Sequence, residues 1–290
     1  MPLKRLVTPK ALAEAIGASE SSIRRWVDSG AIRASRTAGG HRRIDQAEAV
    51  RFIRSIGATI IRPHLLGLPA RDPTRGDSDE ESLFQSLQAG DQSAAVATIV
   101  SWYLEGRAVA GFLDGAVARC MHRVGELWTH DERGVLVEHR ATATCLAALA
   151  ALRGRMPAVD EHAPLAMGAA PQGDPYQIPT MMAATVLADA GFRDVNFGAN
   201  TPVELLGREA VARGASLVWL SVSTRTDPSS MRTLVTQLAD LLDKHRIALV
   251  LGGRHHADCA PRTRRPNVTT LDSMSELSGF ARGLLGLSRR

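Results

Sequence analysis

The sequence predicts a multidomain chain of the α plus α/β class. Residues 1–57 read as a winged helix-turn-helix, 58–79 as a linker, 80–158 as a four-helix bundle and 162–290 as a doubly wound parallel sheet. Three observations predict this. Positive charge is concentrated at one end: residues 1–62 hold 12 Lys and Arg against 5 Asp and Glu, and the rest hold 23 against 25. From 81 to 156 apolar residues recur at three- and four-residue spacing, the period of helices. From 163 onward, short apolar runs alternate with helical segments, the mark of a parallel sheet with crossover helices. At 290 residues the chain is long enough for two or three domains.

The first helix opens at Thr8-Pro9: the hydroxyl can cap the free amides, and proline suits the first helical position. Leu12 and Ile16 then share a face. Gly17 ends that helix, Ser19 to Ser22 cap a second, and Ser29-Gly30 stop it. Two extended arms around Gly39-Gly40 read as a hairpin, and Asp45 caps a third helix to about Ser55. Trp26 reads as an inner anchor of the second helix rather than a contact residue.

This order, with Ser22-Ile23-Arg24-Arg25-Trp26 followed by Gly39-Gly40-His41-Arg42-Arg43, resembles the winged-helix DNA-binding domain of the MerR family over residues 6–55. The resemblance implies a second helix in the major groove of double-stranded DNA, with Ser21, Ser22, Arg24 and Arg25 toward bases or phosphates. Arg36, His41, Arg42 and Arg43 would hold the backbone from the wing. One such module offers few base contacts, so the remaining residues are expected to supply association, as a homo-oligomer (dimer or tetramer), and signal input.

Residues 58–79 are rich in Pro and Gly and keep no period; Leu65–Leu68 read as a short docking segment. Helices are expected over 80–88, 92–104, 107–127 and 133–155, broken at Gly90-Asp91, Glu105-Gly106 and Thr129–Arg133. Within them, Trp128 is followed by Glu138-His139. That arrangement resembles the helical cap over cobalamin in corrinoid proteins and in MerR regulators of the CarH/LitR type. The resemblance places Trp128, Glu138 and His139 on a ligand pocket. The CarH-like photoreceptors carry a His directly after the Trp; here Thr129 intervenes before His130.

The last segment predicts strands at 164–170, 195–198, 216–222, 248–252 and 268–271. Helices are predicted at 178–190, 202–214, 228–244 and 273–285. Ligands of such sheets bind at the C-terminal strand ends. Gly198-Ala199-Asn200-Thr201-Pro202, Ser221-Val222-Ser223-Thr224 and Gly252-Gly253 stand in order after successive strands. Together they resemble the Rossmann-like cobalamin-binding domain. That implies Ser221, Ser223, Gly252 and Gly253 near a corrinoid, the glycines letting backbone approach a nucleotide-like tail. One motif departs. Corrinoid proteins that bind base-off carry an acid, one residue, a cobalt-ligating His, two residues and a Gly. Here Asp174 keeps the acid, Tyr176 replaces the His and Pro179 the Gly. A phenol with a pKa near about 10 is a poor cobalt ligand at neutral pH. Three readings stay open: a corrinoid bound without a protein His, another tetrapyrrole such as haem or a bilin, or a ligand-free association module.

Other features exclude classes. His255-His256-Ala257-Asp258-Cys259 looks metal-like, but adjacent histidines cannot both face one ion in regular structure. No P-loop, GxSxG or HExxH motif is present, and a barrel for a corrinoid-enzyme substrate would need ~250 residues. An enzyme is therefore not expected. No apolar run approaches the ~20 residues of a membrane span. MPLKRLVTPK lacks a signal-peptide core. With three scattered cysteines (Cys120, Cys145, Cys259), this predicts a reducing, cytoplasmic setting without membrane partners. The functional expectation is a sequence-specific DNA-binding regulator, a repressor whose oligomeric state is set by a tetrapyrrole sensor and which responds to light where the CarH likeness holds. The alternatives are a constitutive DNA binder with a degenerate sensor and a corrinoid-dependent enzyme component.

Overall fold

Side-chain oxygens at the head of each N-terminal helix set the boundaries that the sequence predicts. In the computed structural model, which describes residues 6–68, 79–127, 134–225 and 227–286, Thr8 accepts from the Ala11 amide and starts α1 (Pro9–Ile16). Ser19 accepts from Ser22 and starts α2 (Glu20–Asp28), and Asp45 accepts from Ala47 and starts α3 (Gln46–Ser55). Gly17 closes α1 at φ 69°, a left-handed turn that glycine reaches without strain. The wing is β2 (Ala34–Arg36) against β3 (Arg42–Asp45), turning at Gly40 with φ 78°. A short strand that the sequence reading missed, β1 (Leu6–Val7), pairs antiparallel with the other edge of β3.

The core of this module is Leu12, Ile23, Ile32, Ile44, Val50 and Ile53, each almost fully buried. Trp26 packs on Phe52 with ring centroids 4.9 Å apart, the anchoring role expected of it. Glu48 ties the layers together: it accepts from the Arg33 amide and from the guanidinium of Arg51, which also donates to the Ala31 carbonyl. The expected docking segment forms a 3-10 turn at Pro63–Leu66 with Leu66 buried; the Gln46 amide donates to the Leu66 carbonyl at 2.7 Å.

Four helices make the bundle: α4 (Asp79–Ala89), α5 (Gln92–Leu104), then, after α6 (Val109–Phe112) and a π-turn at Leu113–Val117, α7 (Ala118–Leu127) and α8 (Gly134–Arg153). The π-turn interrupts what the sequence reads as one helix over 107–127. The acidic first turn of α4 meets basic partners: Asp79 with Arg107, Glu80 with Arg119 and Glu81 with Arg123. By length and composition alone α8 could cross a bilayer, a property that the sequence reading did not assign to any run. Its Ala141, Cys145, Ala148, Leu149 and Leu152 are buried, and it packs on α4, α5 and α7. In this unit α3 also meets α5, where the Arg54 guanidinium stacks on Tyr103 and donates to its carbonyl.

The chain divides into two compact units, and the second comprises residues 109–114 and 159–290. It is a parallel sheet of β4 (Leu165–Ala169), β5 (Arg193–Asn196), β6 (Leu217–Ser221), β7 (Ala248–Gly252) and β8 (Val268–Thr270), in the order β5-β4-β6-β7-β8. Its helices are α9 (Ile178–Ala190), α10 (Val203–Ala212), α11 (Pro228–Lys244), the single turn α12 (His256–Cys259) and α13 (Met274–Leu284). Leu165, Met167, Ala169, Val218, Leu220 and Val222 form one core with residues of α10 and α11. Strand alternation sends their neighbours Gly168, Trp219 and Ser221 to the opposite face, where α9 packs. Asp114 serves the N-terminus of α13, accepting from the amides of Met274 (2.7 Å) and Ser275 (2.8 Å).

Burial pushes the thiols of Cys120 and Cys145 up to about 12, so neither forms a thiolate near neutrality. Iodoacetamide at pH 8 is therefore expected to leave both unlabelled in the folded protein and to label them in denaturant, as read by peptide mass spectrometry. Because the folded thiols hold their protons above their ordinary value of 9.0, stability should fall as pH climbs from 9 toward 12.

Candidate nucleic-acid interface and ligand site

The second helix and the wing present the residues expected to meet DNA, and the structure sorts them by what already neutralises them. Arg24 is paired with Glu20 one turn earlier at 2.7 Å, and Arg42 with Asp28 at 2.5 Å. The second pair joins the wing to the end of α2, so Arg42 positions as well as charges. Arg25, Arg36 and Arg43 have no carboxylate partner among the described residues; Arg25 donates to the Ser22 hydroxyl at 3.3 Å. Ser21 and Ser22 share hydrogen bonds with the capping Ser19 hydroxyl. His41 is exposed at the hairpin tip. Its amide donates to the Thr37 hydroxyl, and Thr37 and His41 close the turn. Arg25 and Arg36 are exposed and Arg43 is half-buried, and guanidinium groups lacking counter-charges on a helix and its adjacent wing are what phosphate contacts require.

The other candidate site lies at the C-terminal edge of the parallel sheet. Strands β4 and β6 are neighbours there, and the chain order reverses between them, which is where open α/β sheets place ligands. Asp174, in the loop after β4, is fully buried. One carboxylate oxygen accepts from the Ser223 amide at 2.5 Å and the Thr224 amide at 3.0 Å. The other accepts from the Tyr176 amide at 3.0 Å and the Thr224 hydroxyl at 3.3 Å. One acid thus clamps the loop after β6 to the loop after β4. The loop after β5 is clamped by backbone: Asn200 donates to the Asp174 carbonyl, and its side chain accepts from Gly173 at 2.8 Å.

Ser221 is buried at the end of β6, and Ser223 is half-buried beside Asp174. Tyr176 points outward and is 51% exposed, with Phe197 and Leu205 also exposed near the same edge. The glycines expected to admit a nucleotide-like tail have a different duty. A methyl group at Gly253 would fall 2.5 Å from the Val222 carbonyl oxygen, and Gly253 has φ 92°. Its bareness is used by the protein's own backbone. Gly252 has ordinary room, 3.5 Å from the Leu271 carbonyl.

Of the expected cap residues, Trp128 lies outside the described residues. Glu138 and His139 sit in the first turns of α8; Glu138 accepts from the Thr142 hydroxyl at 3.0 Å and His139 is exposed. The histidines of the C-terminal loop are each engaged separately. His256 hydrogen-bonds the Gly253 carbonyl and faces Asp272, while His255 faces Asp258. Among the described residues no three His, Cys, Asp or Glu side chains gather as a metal cluster.

The sequence reading missed Trp219, Thr180 and Asn196. The buried Trp219 indole donates to the Thr180 hydroxyl of α9 at 2.9 Å, and that hydroxyl donates to the Asn196 side-chain oxygen of β5 at 3.0 Å. The available signal was Gly168, an isolated glycine within a strand, which marks a close approach. Tested on these observations, the residues do not fit a corrinoid ligated from below by protein imidazole with its tail inside the domain. The donor at the expected position is an exposed phenol, Asp174 is fully engaged by the loops, and the sheet–helix layer is filled by indole.

Removing the Asp174 carboxylate would leave three amides and a hydroxyl without their acceptor. Asp174→Ala is expected to destabilise the second unit by about 3 kcal/mol or more, read as a lowered urea midpoint by circular dichroism.

A helix-turn-helix domain model matches residues 6–56, and a B12 binding domain model matches residues 79–153. No curated protein matches the chain. The fold is similar to that of a monomethylamine corrinoid protein from Methanosarcina barkeri, with TM-score 0.51 and 16% identity over 71% of this chain and 100% of that one. Two other solved structures match less closely. One is a methanol:cobalamin methyltransferase complex from Methanosarcina barkeri, with TM-score 0.36 and 13% identity over 73% of this chain and 81% of that one. The other is a cobalamin-binding protein from Desulfitobacterium hafniense DCB-2, with TM-score 0.35 and 18% identity over 71% of this chain and 98% of that one. The chain therefore carries a helix-turn-helix domain, then a helical domain of the B12-binding type, then an α/β domain with the fold of a corrinoid protein.

Proposed function

We propose that this protein is a sequence-specific, double-stranded-DNA-binding transcriptional regulator of the MerR type, whose bundle and α/β domain form a corrinoid-type sensor. The observation that carries the reading is the set Arg25, Arg36 and Arg43, lacking carboxylate partners among the described residues, on a domain that matches the helix-turn-helix model. The B12 binding match over 79–153 supports the sensor half. In this reading the protein is cytoplasmic, acts as a repressor and binds paired half-sites as a dimer or tetramer. Its ligand, a corrinoid or another tetrapyrrole such as haem or a bilin, alters that assembly, and light does so where the ligand is photolabile. It carries no catalysis.

A second reading has a specific observation in its favour. The engaged Asp174, the outward Tyr176 and the filled layer beneath them suit a regulator that binds DNA constitutively and uses its second unit only to associate. Gel shifts on the DNA upstream of its own gene, with and without adenosylcobalamin, in dark and light, separate the two. Binding that changes with ligand or light supports the sensor; binding indifferent to both supports the constitutive form. The DNA contacts have their own test. Arg25→Ala and Arg36→Ala should each weaken binding and flatten the slope of log affinity against log salt by about 1, without loss of folding. Arg42→Ala should cost affinity and also loosen the wing, because it severs the pair with Asp28.

A further inference from the structure

The crevice where an open α/β sheet receives a ligand opens between β4 and β6, below the loops that Asp174 clamps. In this protein its interior on the α9 side is already full. Gly168 and Trp219 are register partners on β4 and β6. The indole lies so close to Gly168 that a methyl group there would sit 2.1 Å from ring carbon Cδ2 and 2.4 Å from Cγ and Cε2. Trp219 is 2% exposed, and its ring nitrogen is anchored on Thr180 of α9, itself fully buried. Thr180 is held in turn by Asn196, whose oxygen also accepts from the Gly198 amide in the loop after β5. The ring is thus fixed on one side by the bare strand and on the other by a hydrogen-bonded chain reaching the rim of the site. Above it, Ser221 closes the same face one strand repeat further on.

We infer that Trp219 fills the sheet–α9 layer directly beneath this crevice and is the residue that sets its ligand specificity: it excludes any ligand group that must enter between sheet and α9. A planar macrocycle can be received only across the rim, where Tyr176, Phe197 and Leu205 are exposed. The nucleotide tail of cobalamin, which ends in a flat benzimidazole of much the same size as indole, gains nothing from this domain. The inference rests on the proposed sensor role for its ligand class, but the filled crevice has a test of its own.

The experiment uses the full chain, wild type and Trp219→Ala, with three probes: hydroxocobalamin, the tail-less corrinoid cobinamide, and free 5,6-dimethylbenzimidazole. Corrinoid binding is followed by absorption titration and the free base by its effect on Tm. In the wild type, cobalamin and cobinamide should bind within about threefold of each other and the free base should leave Tm unchanged. In Trp219→Ala the vacated cavity, lined by the Thr180 hydroxyl that the indole engaged, should admit the base and raise Tm, as engineered cavities admit flat aromatics. Cobalamin should then gain about tenfold or more over cobinamide. A wild type that prefers cobalamin to cobinamide by about tenfold overturns the inference, as does a folded Trp219→Ala that ignores the free base. A wild type that binds neither corrinoid ends the corrinoid part of the proposed function, and the crevice is then decided by the free-base measurement alone. Where Trp219→Ala loses its native circular dichroism, Trp219→Val, which leaves more of the core in place, is read in the same way with imidazole as the smaller probe.

Discussion

The ligand end of the second unit depends on one buried carboxylate. Asp174 has no contact with water and stands among backbone amides rather than cations. A buried charge is tolerated when several donors converge on it, and those donors lose heavily if it is withdrawn. Here they belong to two loops that follow strands β4 and β6, distant in sequence and adjacent only because the sheet order reverses between them. The acid therefore holds together the two loops that meet at the switch point. It also fixes the direction of Tyr176, whose amide is held by the same oxygen that accepts from the Thr224 hydroxyl. An acid whose two oxygens are taken by three amides and a hydroxyl has none left to orient a metal-ligating ring, so the Tyr at this position is consistent with its surroundings.

The DNA-binding module follows a different logic. Its excess of positive charge is not uniformly available: Arg24 and Arg42 are neutralised within the domain, and Arg51 is engaged with Glu48. The pairs do structural work at the edges of the recognition surface, one along α2 and one from wing to helix. What remains toward solvent is a smaller, better-defined set of cations. The net charge over residues 1–62 already subtracts these carboxylates, so the pairs leave its size unchanged and decide where it lies, with Arg25, Arg36 and Arg43 its unpaired cations on α2 and the wing among the described residues.

Where local chemistry decides structure, the sequence was readable. Thr8, Ser19 and Asp45 cap the helices that their positions announce, and Gly17 and Gly40 occupy the turns that need positive φ. The five strands of the parallel sheet and four of their helices were legible because their apolar runs are short and regularly spaced, although β5 begins two residues earlier than expected and the single turn α12 falls where a loop was read. The π-turn at Leu113–Val117 was not, since a single wider turn leaves the helical period almost intact. Strand β1 has two residues and no period to detect. At the ligand site, the family-like order of Asp174, Ser221, Ser223 and the glycines was visible, but their duties were not. Duty depends on partners such as Val222 against Gly253, or Trp219 across Gly168, that only the sheet brings together.

That distinction bears on how a degenerate-looking motif should be weighed. A missing ligand residue can mean that a site is lost, or that the same scaffold is differently occupied. A site merely lost would be expected to leave room where the ligand group once fitted, because small residues chosen for close approach create voids when nothing approaches. In this domain two of the small residues are met by the protein itself: Gly253 by the Val222 backbone and Gly168 by an indole that is hydrogen-bonded as well as buried. A buried Trp whose ring nitrogen finds a partner is a specified packing choice. At these two positions the interior of the second unit is closed by its own atoms. What solvent, and anything dissolved in it, can reach is its rim, where Tyr176 and Phe197 are exposed.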